Sequence, residues 1–134
     1  MDFPEFLTVN GSQTQKDLAQ LWRRIVFNIA VSNTDDHLRN HGFLLTKKGW
    51  ALSPAYDLNP SIDKTGLHLN IDDMSNELDY GLAFSVADYF NLKESEAKKI
   101  YDEVMLSVNN WEAIASDIGI SRQEQLGMQE AFRV

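Results

Sequence analysis

The apolar positions along the chain fall into helical, extended and broken stretches. Over residues 13–31, Leu18, Leu21, Trp22, Ile25, Val26 and Ile29 recur at i, i+3, i+4, i+7, i+8 and i+11, which places them on one stripe of a helix. Ser12 with Gln15 gives that helix a capping-box start. The next stretch, 32–41 (SNTDDHLRNH), holds a single apolar side chain, Leu38, so no buried periodic element fits it. Two short apolar runs follow, 42–46 (GFLLT) and 50–53 (WALS), on either side of Lys47-Lys48-Gly49; runs separated by a Gly-containing turn predict a β-hairpin. Pro54 ends the second strand, and residues 54–66, with Pro60 and Gly66, read as loop. The alternation of LHLNI predicts a short strand at 67–71. The remainder is helical. Ser85 caps a short helix through about Leu92, and residues 94–108 place Ala97, Ile100, Tyr101, Val104 and Val108 on one face. Asn110 caps WEAIASDI, Gly119 stops it, and Ser121 with Glu124 opens the last helix as a capping box. The predicted fold is mainly α with a small β-hairpin, its core made by the 13–31 helix packing on the C-terminal helices.

Composition narrows the function classes. A chain of 134 residues is one domain by length, and 43% apolar with 24% charged residues is ordinary for a globular chain. There are no cysteines, which excludes disulfides, thiolate metal sites and a cysteine nucleophile. No apolar run approaches the roughly 18 residues of a membrane span. The opening MDFPEFLTVNGS has neither the basic nor the apolar region of a signal peptide. A cytoplasmic chain with no membrane partner is the expectation. The net charge is −8, from 12 Lys+Arg and 20 Asp+Glu. The basic pairs are Arg23-Arg24, Lys47-Lys48 and Lys98-Lys99. Direct nucleic-acid binding needs clustered Lys and Arg to neutralise phosphates, and this balance argues against it. It does leave carboxylates to hold a divalent metal.

The chemistry concentrates in Asn33-Thr34-Asp35-Asp36-His37-Leu38-Arg39-Asn40-His41. This segment follows the first helix and precedes the hairpin, which leads on to Leu52-Ser53-Pro54-Ala55-Tyr56-Asp57-Leu58. An Asp five residues before an Asn, then a hairpin, then a second Asp, is the order used in phosphoryl transfer. There the first Asp accepts the substrate hydroxyl proton, the Asn ligates Mg²⁺, and the later Asp bridges metal and phosphates. Asp35, Asn40 and Asp57 occupy those places. The division makes physical sense, because orienting the hydroxyl takes a carboxylate not committed to metal, and Mg²⁺ takes hard oxygen ligands.

Blander readings exist for each neighbour. Isolated Asx residues form turns. His37 and His41 are four apart, but the zinc motif H-E-x-x-H needs Glu where Leu38 stands. Asp36 reads as solvent-facing, and Arg39 as offsetting the acidic cluster. Asn70 with Asp72-Asp73 lacks the calcium-loop pattern and reads as an acidic loop. Trp22, Trp50 and Trp111 read as core or core-edge residues.

NTDDHLRNHGFLL followed by W-x-L-S-P-A-Y-D-L resembles the HipA-like serine/threonine kinases, whose namesake is the toxin of a bacterial toxin–antitoxin pair. The resemblance runs from about residue 18 to residue 60 and continues more weakly through the helical tail. It implies the helical C-lobe of a protein-kinase-like fold, with ATP and Mg²⁺ as cofactors. It also implies Asp35 as the catalytic aspartate, Asn40 and Asp57 as metal and cofactor ligands, and His37 as a cofactor-site position that sets the loop. The implied partners are a protein substrate, an N-lobe partner or antitoxin, and a second copy through the exposed lobe face. In the family the nucleotide site is shared with an N-terminal lobe carrying a phosphate-covering loop and a lysine. The 34 residues before Asp35 contain only one glycine, Gly11, and no strand-borne lysine. Residues 1–134 are therefore expected to be the catalytic lobe alone, inactive without an N-lobe. The alternative is a non-catalytic binding or oligomerisation module derived from that lobe.

Overall fold

The first element is one that the apolar pattern does not announce. In the computed structural model, which describes residues 2–34, 40–62 and 79–134, helix α1 spans Phe3–Asn10. It starts on a capping box: the Asp2 carboxylate accepts the Glu5 N–H at 2.9 Å, and Glu5 reaches back to the Asp2 N–H. Pro4 lies in the first turn, where the missing N–H costs nothing. Helix α2 follows at Thr14–Ala30. Its expected capping box is not formed. Gln13 is the cap residue and makes no capping bond through its side chain. The Ser12 N–H and hydroxyl instead both donate to the Trp50 carbonyl, at 2.8 and 3.3 Å. A long-range partner wins over the local one.

The apolar stripe of α2 is the centre of the core. Leu18, Leu21, Trp22, Val26 and Ile29 are buried, and they pack with Ala97, Ile100, Val104 and Val108 of α4, Glu94–Val108. Leu7 of α1 and Leu52 of the hairpin join the same cluster. The predicted core is thus found with α4 as the partner of α2, while the two helices after it contribute none of its buried residues.

The hairpin is antiparallel, β1 Phe43–Thr46 against β2 Gly49–Leu52, with Phe43 opposite Leu52 and Thr46 opposite Gly49. The turn is the pair Lys47-Lys48. Gly49 has φ +131° and a Cβ there would stand 2.7 Å from the Asn10 carbonyl oxygen, so both conformation and space demand glycine.

Further along the chain, α3 covers Tyr80–Ser85 and a 3-10 turn covers Ala87–Phe90. Ser85 ends α3 rather than opening a helix, its hydroxyl donating to the Leu82 carbonyl at 2.6 Å. The cap of α3 is Asp79. Helix α5, Trp111–Asp117, stops as predicted at Gly119, φ +86°. The Ile120 N–H bonds to the Ala115 carbonyl and the Gly119 N–H to Ser116, satisfying carbonyls left free by the helix end. Asn110 sits at the α5 cap position without a side-chain capping bond. Helix α6, Arg122–Met128, opens on the expected Ser121–Glu124 box, whose two bonds from Ser121 hold the Glu124 carboxyl below its usual range. A 3-10 turn at Gln129–Ala131 follows. The strand expected at 67–71 lies outside the described residues. Among the described residues no helix is long and apolar enough to cross a membrane.

Tyr80 gives a pH prediction. Its hydroxyl donates to the Arg133 carbonyl at 2.6 Å and its ring meets Tyr101 edge-on at 5.3 Å. Burial, then the Tyr101 charge, push its pKa up from 10.0 to about 12, against a smaller opposing pull from Arg133. A folded pKa above the unfolded value means a contribution fully present below pH 10 and lost as pH rises towards 12. Base titration followed by circular dichroism should show Tyr80→Phe losing less stability across that window than the parent; equal losses would refute the assignment.

Candidate functional site

The site grows out of the C-terminal end of α2. Ser32, fully buried, takes the left-handed conformation at φ +53° and turns the chain out of the helix. Asn33 is also buried, its N–H donating to the Asn28 carbonyl at 2.8 Å and its Nδ2 to Asn28 Oδ1 at 3.0 Å. Thr34 is buried beside them. The polar segment, which the apolar pattern gives no buried periodic element, therefore begins inside the protein, with Asn33 satisfied by the backbone and side chain of Asn28.

Asp35 and His37, with Asp36 and Arg39, lie outside the described residues. Asn40, the next described residue, is buried. Asn40 Nδ2 is 3.4 Å from Asp57 Oδ2, near the outer limit of hydrogen bonding. Asp57 is exposed and left-handed at φ +57°. Its other oxygen accepts from Asn59 Nδ2 at 2.9 Å. The structure thus brings together two residues from opposite ends of the hairpin, one buried and neutral, one exposed and charged. The contact is an amide N–H meeting a carboxylate oxygen; Asn40 Oδ1 and the Asp57 carboxylate are the groups here that could hold a small divalent cation. Among the described residues no group of three His, Cys, Asp or Glu forms a metal cluster.

Two buried residues of α2 hold the base of the hairpin. Asp17 accepts the Leu52 N–H at 2.9 Å through one oxygen and Gln13 Nε2 at 2.9 Å through the other. Arg24 bonds His41 Nδ1 at 3.1 Å through Nη1, and donates through Nη2 to the Ser53 carbonyl. His41 precedes β1 and Ser53 follows β2, so one guanidinium ties both feet of the hairpin to one helix. Ser53 N–H to the Gly42 carbonyl, at 2.8 Å, closes the base.

Neither Asp17 nor Arg24 stands out in the apolar stripe. The available signal is that Asp17, Arg24 and Asn28 recur at i, i+7 and i+11, the spacing of one helix edge, and all three are buried. Arg24→Ala should cost about 2–4 kcal/mol, because charge-assisted bonds are lost and the Ser53 carbonyl loses its donor. Urea unfolding checks this; a change below about 0.5 kcal/mol, the level of a neutral surface substitution, would refute it.

Residues 3–111 match the family model described as HipA-like C-terminal domain. No curated protein and no solved structure matches the chain. The matched span takes in α1, the polar segment, the whole hairpin and Asp57, and ends at the first residue of α5. Since it covers most of the sequence, the chain belongs to the family of HipA-like C-terminal domains.

Proposed function

We propose that this domain is the catalytic lobe of a protein serine/threonine kinase, transferring the γ-phosphoryl of ATP to a protein hydroxyl. The observation that carries the reading is the Asn40–Asp57 pair, 17 residues apart in sequence and 3.4 Å apart across the hairpin base. Asn40 and Asp57 are the residues that would hold Mg²⁺, which when bound supplies charge neutralisation at the transferring phosphoryl group. Asp35, five positions before Asn40, orients the attacking hydroxyl and accepts its proton. His37 positions the loop between them. The phosphate-covering loop and lysine come from an N-lobe supplied by other residues, and the lobe alone does not turn over ATP.

The test is to supply an N-lobe of the same family, in trans or by fusion, and measure transfer of labelled phosphate from ATP to protein. Transfer that depends on Asp35 and Asp57 supports the reading; none with a folded N-lobe present sinks it.

One observation favours a second reading, that of a binding module. Leu44 and Leu45 are 56% and 69% exposed. Neighbours on a strand point to opposite faces, so the middle of β1 is uncovered on both. Self-association in sedimentation, with no heat of Mg²⁺-ATP binding, would favour that alternative.

A further inference from the structure

Residues beyond the family match reach back to the entrance of the site. The match ends at residue 111, yet the segment 129–133 lies against the left-handed corner at Ser32. The Ser32 hydroxyl donates to the Ala131 carbonyl at 2.7 Å and accepts from Arg133 Nε at 3.0 Å, so its hydrogen is committed to one partner and a lone pair to the other. The Arg133 N–H donates to the Ala30 carbonyl at 2.7 Å, capping a carbonyl that the end of α2 leaves free. The segment is itself held in place. The Phe132 ring stacks on Trp111 at 4.1 Å and 5°, and Tyr80 donates to the Arg133 carbonyl.

The corner is tied to the Asp57 side of the site. Asn33 and Thr34 leave it in one direction. On the other, the Ser61 N–H donates to the Val31 carbonyl at 3.3 Å, tying the loop that carries Asp57 to the same turn. A serine with a Cβ does not favour the left-handed region by itself, and a strained residue persists only where its surroundings fix it. Ser32 is fixed through its hydroxyl by Ala131 and Arg133.

We propose that segment 129–133 is a positioning element for the Asn40–Asp57 pair, acting through the Ser32 corner, with Arg133 as its key positioning residue. The proposal rests on the phosphotransfer reading for what the pair does. It assigns to residues outside the family match the task of setting the pair's geometry.

Two readouts on the full chain separate this proposal from that reading. The first is Mn²⁺ titration, followed by paramagnetic broadening of the Asn40 side-chain amide signals. The second is amide hydrogen exchange at Asn33 and Ser61, measured without metal. Arg133→Ala should weaken Mn²⁺ binding about tenfold and speed exchange at both amides by a similar factor, with exchange inside α2 unchanged. Ser32→Ala should do the same and serves if Arg133→Ala does not fold. Ser32→Gly loses the same bonds but has no Cβ to strain, so it should retain more Mn²⁺ binding than Ser32→Ala. Strain at φ +53° separates the two variants in global stability as well, so their Mn²⁺ binding is compared where circular dichroism shows both fully folded.

Parental exchange at Asn33 and Ser61 in both Arg133→Ala and Ser32→Ala overturns the proposal, as does equal Mn²⁺ binding by Ser32→Ala and Ser32→Gly. If the parent chain shows no Mn²⁺ broadening at Asn40, the phosphotransfer reading fails, and the exchange arm alone still decides whether the segment holds the corner.

Discussion

Asp57→Asn should lower phosphoryl transfer by about a hundredfold or more while leaving the fold intact. Two features of Asp57 make this a clean experiment. It is exposed, so water can replace the carboxylate oxygen that Asn40 or Asn59 loses, and it sits at φ +57°, a conformation that Asn tolerates nearly as well as Asp. The substitution therefore removes the charge and one of the two acceptor oxygens that meet Asn40 and Asn59, and leaves the backbone unstrained. Alanine at the same place also loses the short polar side chain that suits left-handed backbone, so Asp57→Ala should add a modest loss of stability to the same loss of rate. Asp35→Ala should produce a comparable fall, since a positioned proton acceptor contributes roughly 10²–10⁴-fold. The measurement is the rate of labelled phosphate transfer with an N-lobe supplied, beside thermal melts of each variant. Full activity in Asp57→Asn would remove Asp57 from the metal-holding role.

The largest stability effect is expected at Trp22. It is fully buried, packs edge-on to Phe84 at 5.4 Å, and donates from Nε1 to the Ala83 carbonyl at 2.8 Å. Trp22→Ala should cost about 3–5 kcal/mol through lost burial and the cavity left behind. That is a large share of the roughly 5–15 kcal/mol available to a small domain, so the variant should be partly unfolded at 37 °C. Trp22→Phe keeps most of the volume and loses the hydrogen bond, and should cost less. Denaturant midpoints for the two variants check the order; equal and small losses would show that α2 and α3 are not joined through this residue.

The parts of this fold that were legible in the sequence are those specified by local periodicity. The α2 stripe and the α4 face declare themselves because their apolar residues repeat at helical spacing over several turns. The hairpin does so because two short runs flank a glycine. Helix α1 escapes the same test: eight residues are too few for a convincing period, and its real signal is the Asp2–Glu5 box at its start. Ser12 and Ser85 mislead for one shared reason. Each has the residue type of a cap, but the hydroxyl goes elsewhere, to Trp50 and to Leu82, and only the first of those partners is distant in sequence.

The candidate site divides in the same way. Asn40 and Asp57 are legible because their order and spacing around a hairpin carry a chemical meaning. Asp17 and Arg24 are not, because a polar residue beside an apolar stripe reads as solvent-facing. What buries them is a pairing with backbone atoms of Leu52 and Ser53, about thirty residues on. Polar residues placed at i, i+7 and i+11 along one helix edge are the pattern worth seeking in such chains.

Gly49 bears on how firmly the site is built. A hairpin tip is usually a free end, the cheapest place in a fold for insertions and motion. Here the tip leans on the Asn10 carbonyl, the Ser12 backbone bonds to Trp50, and the far end is fastened by Asp17 and Arg24. The hairpin is supported at both ends, like a beam rather than a cantilever. A load on the turn would therefore meet the α1–α2 connection before it reached the base, beside which Asn40 and Asp57 lie.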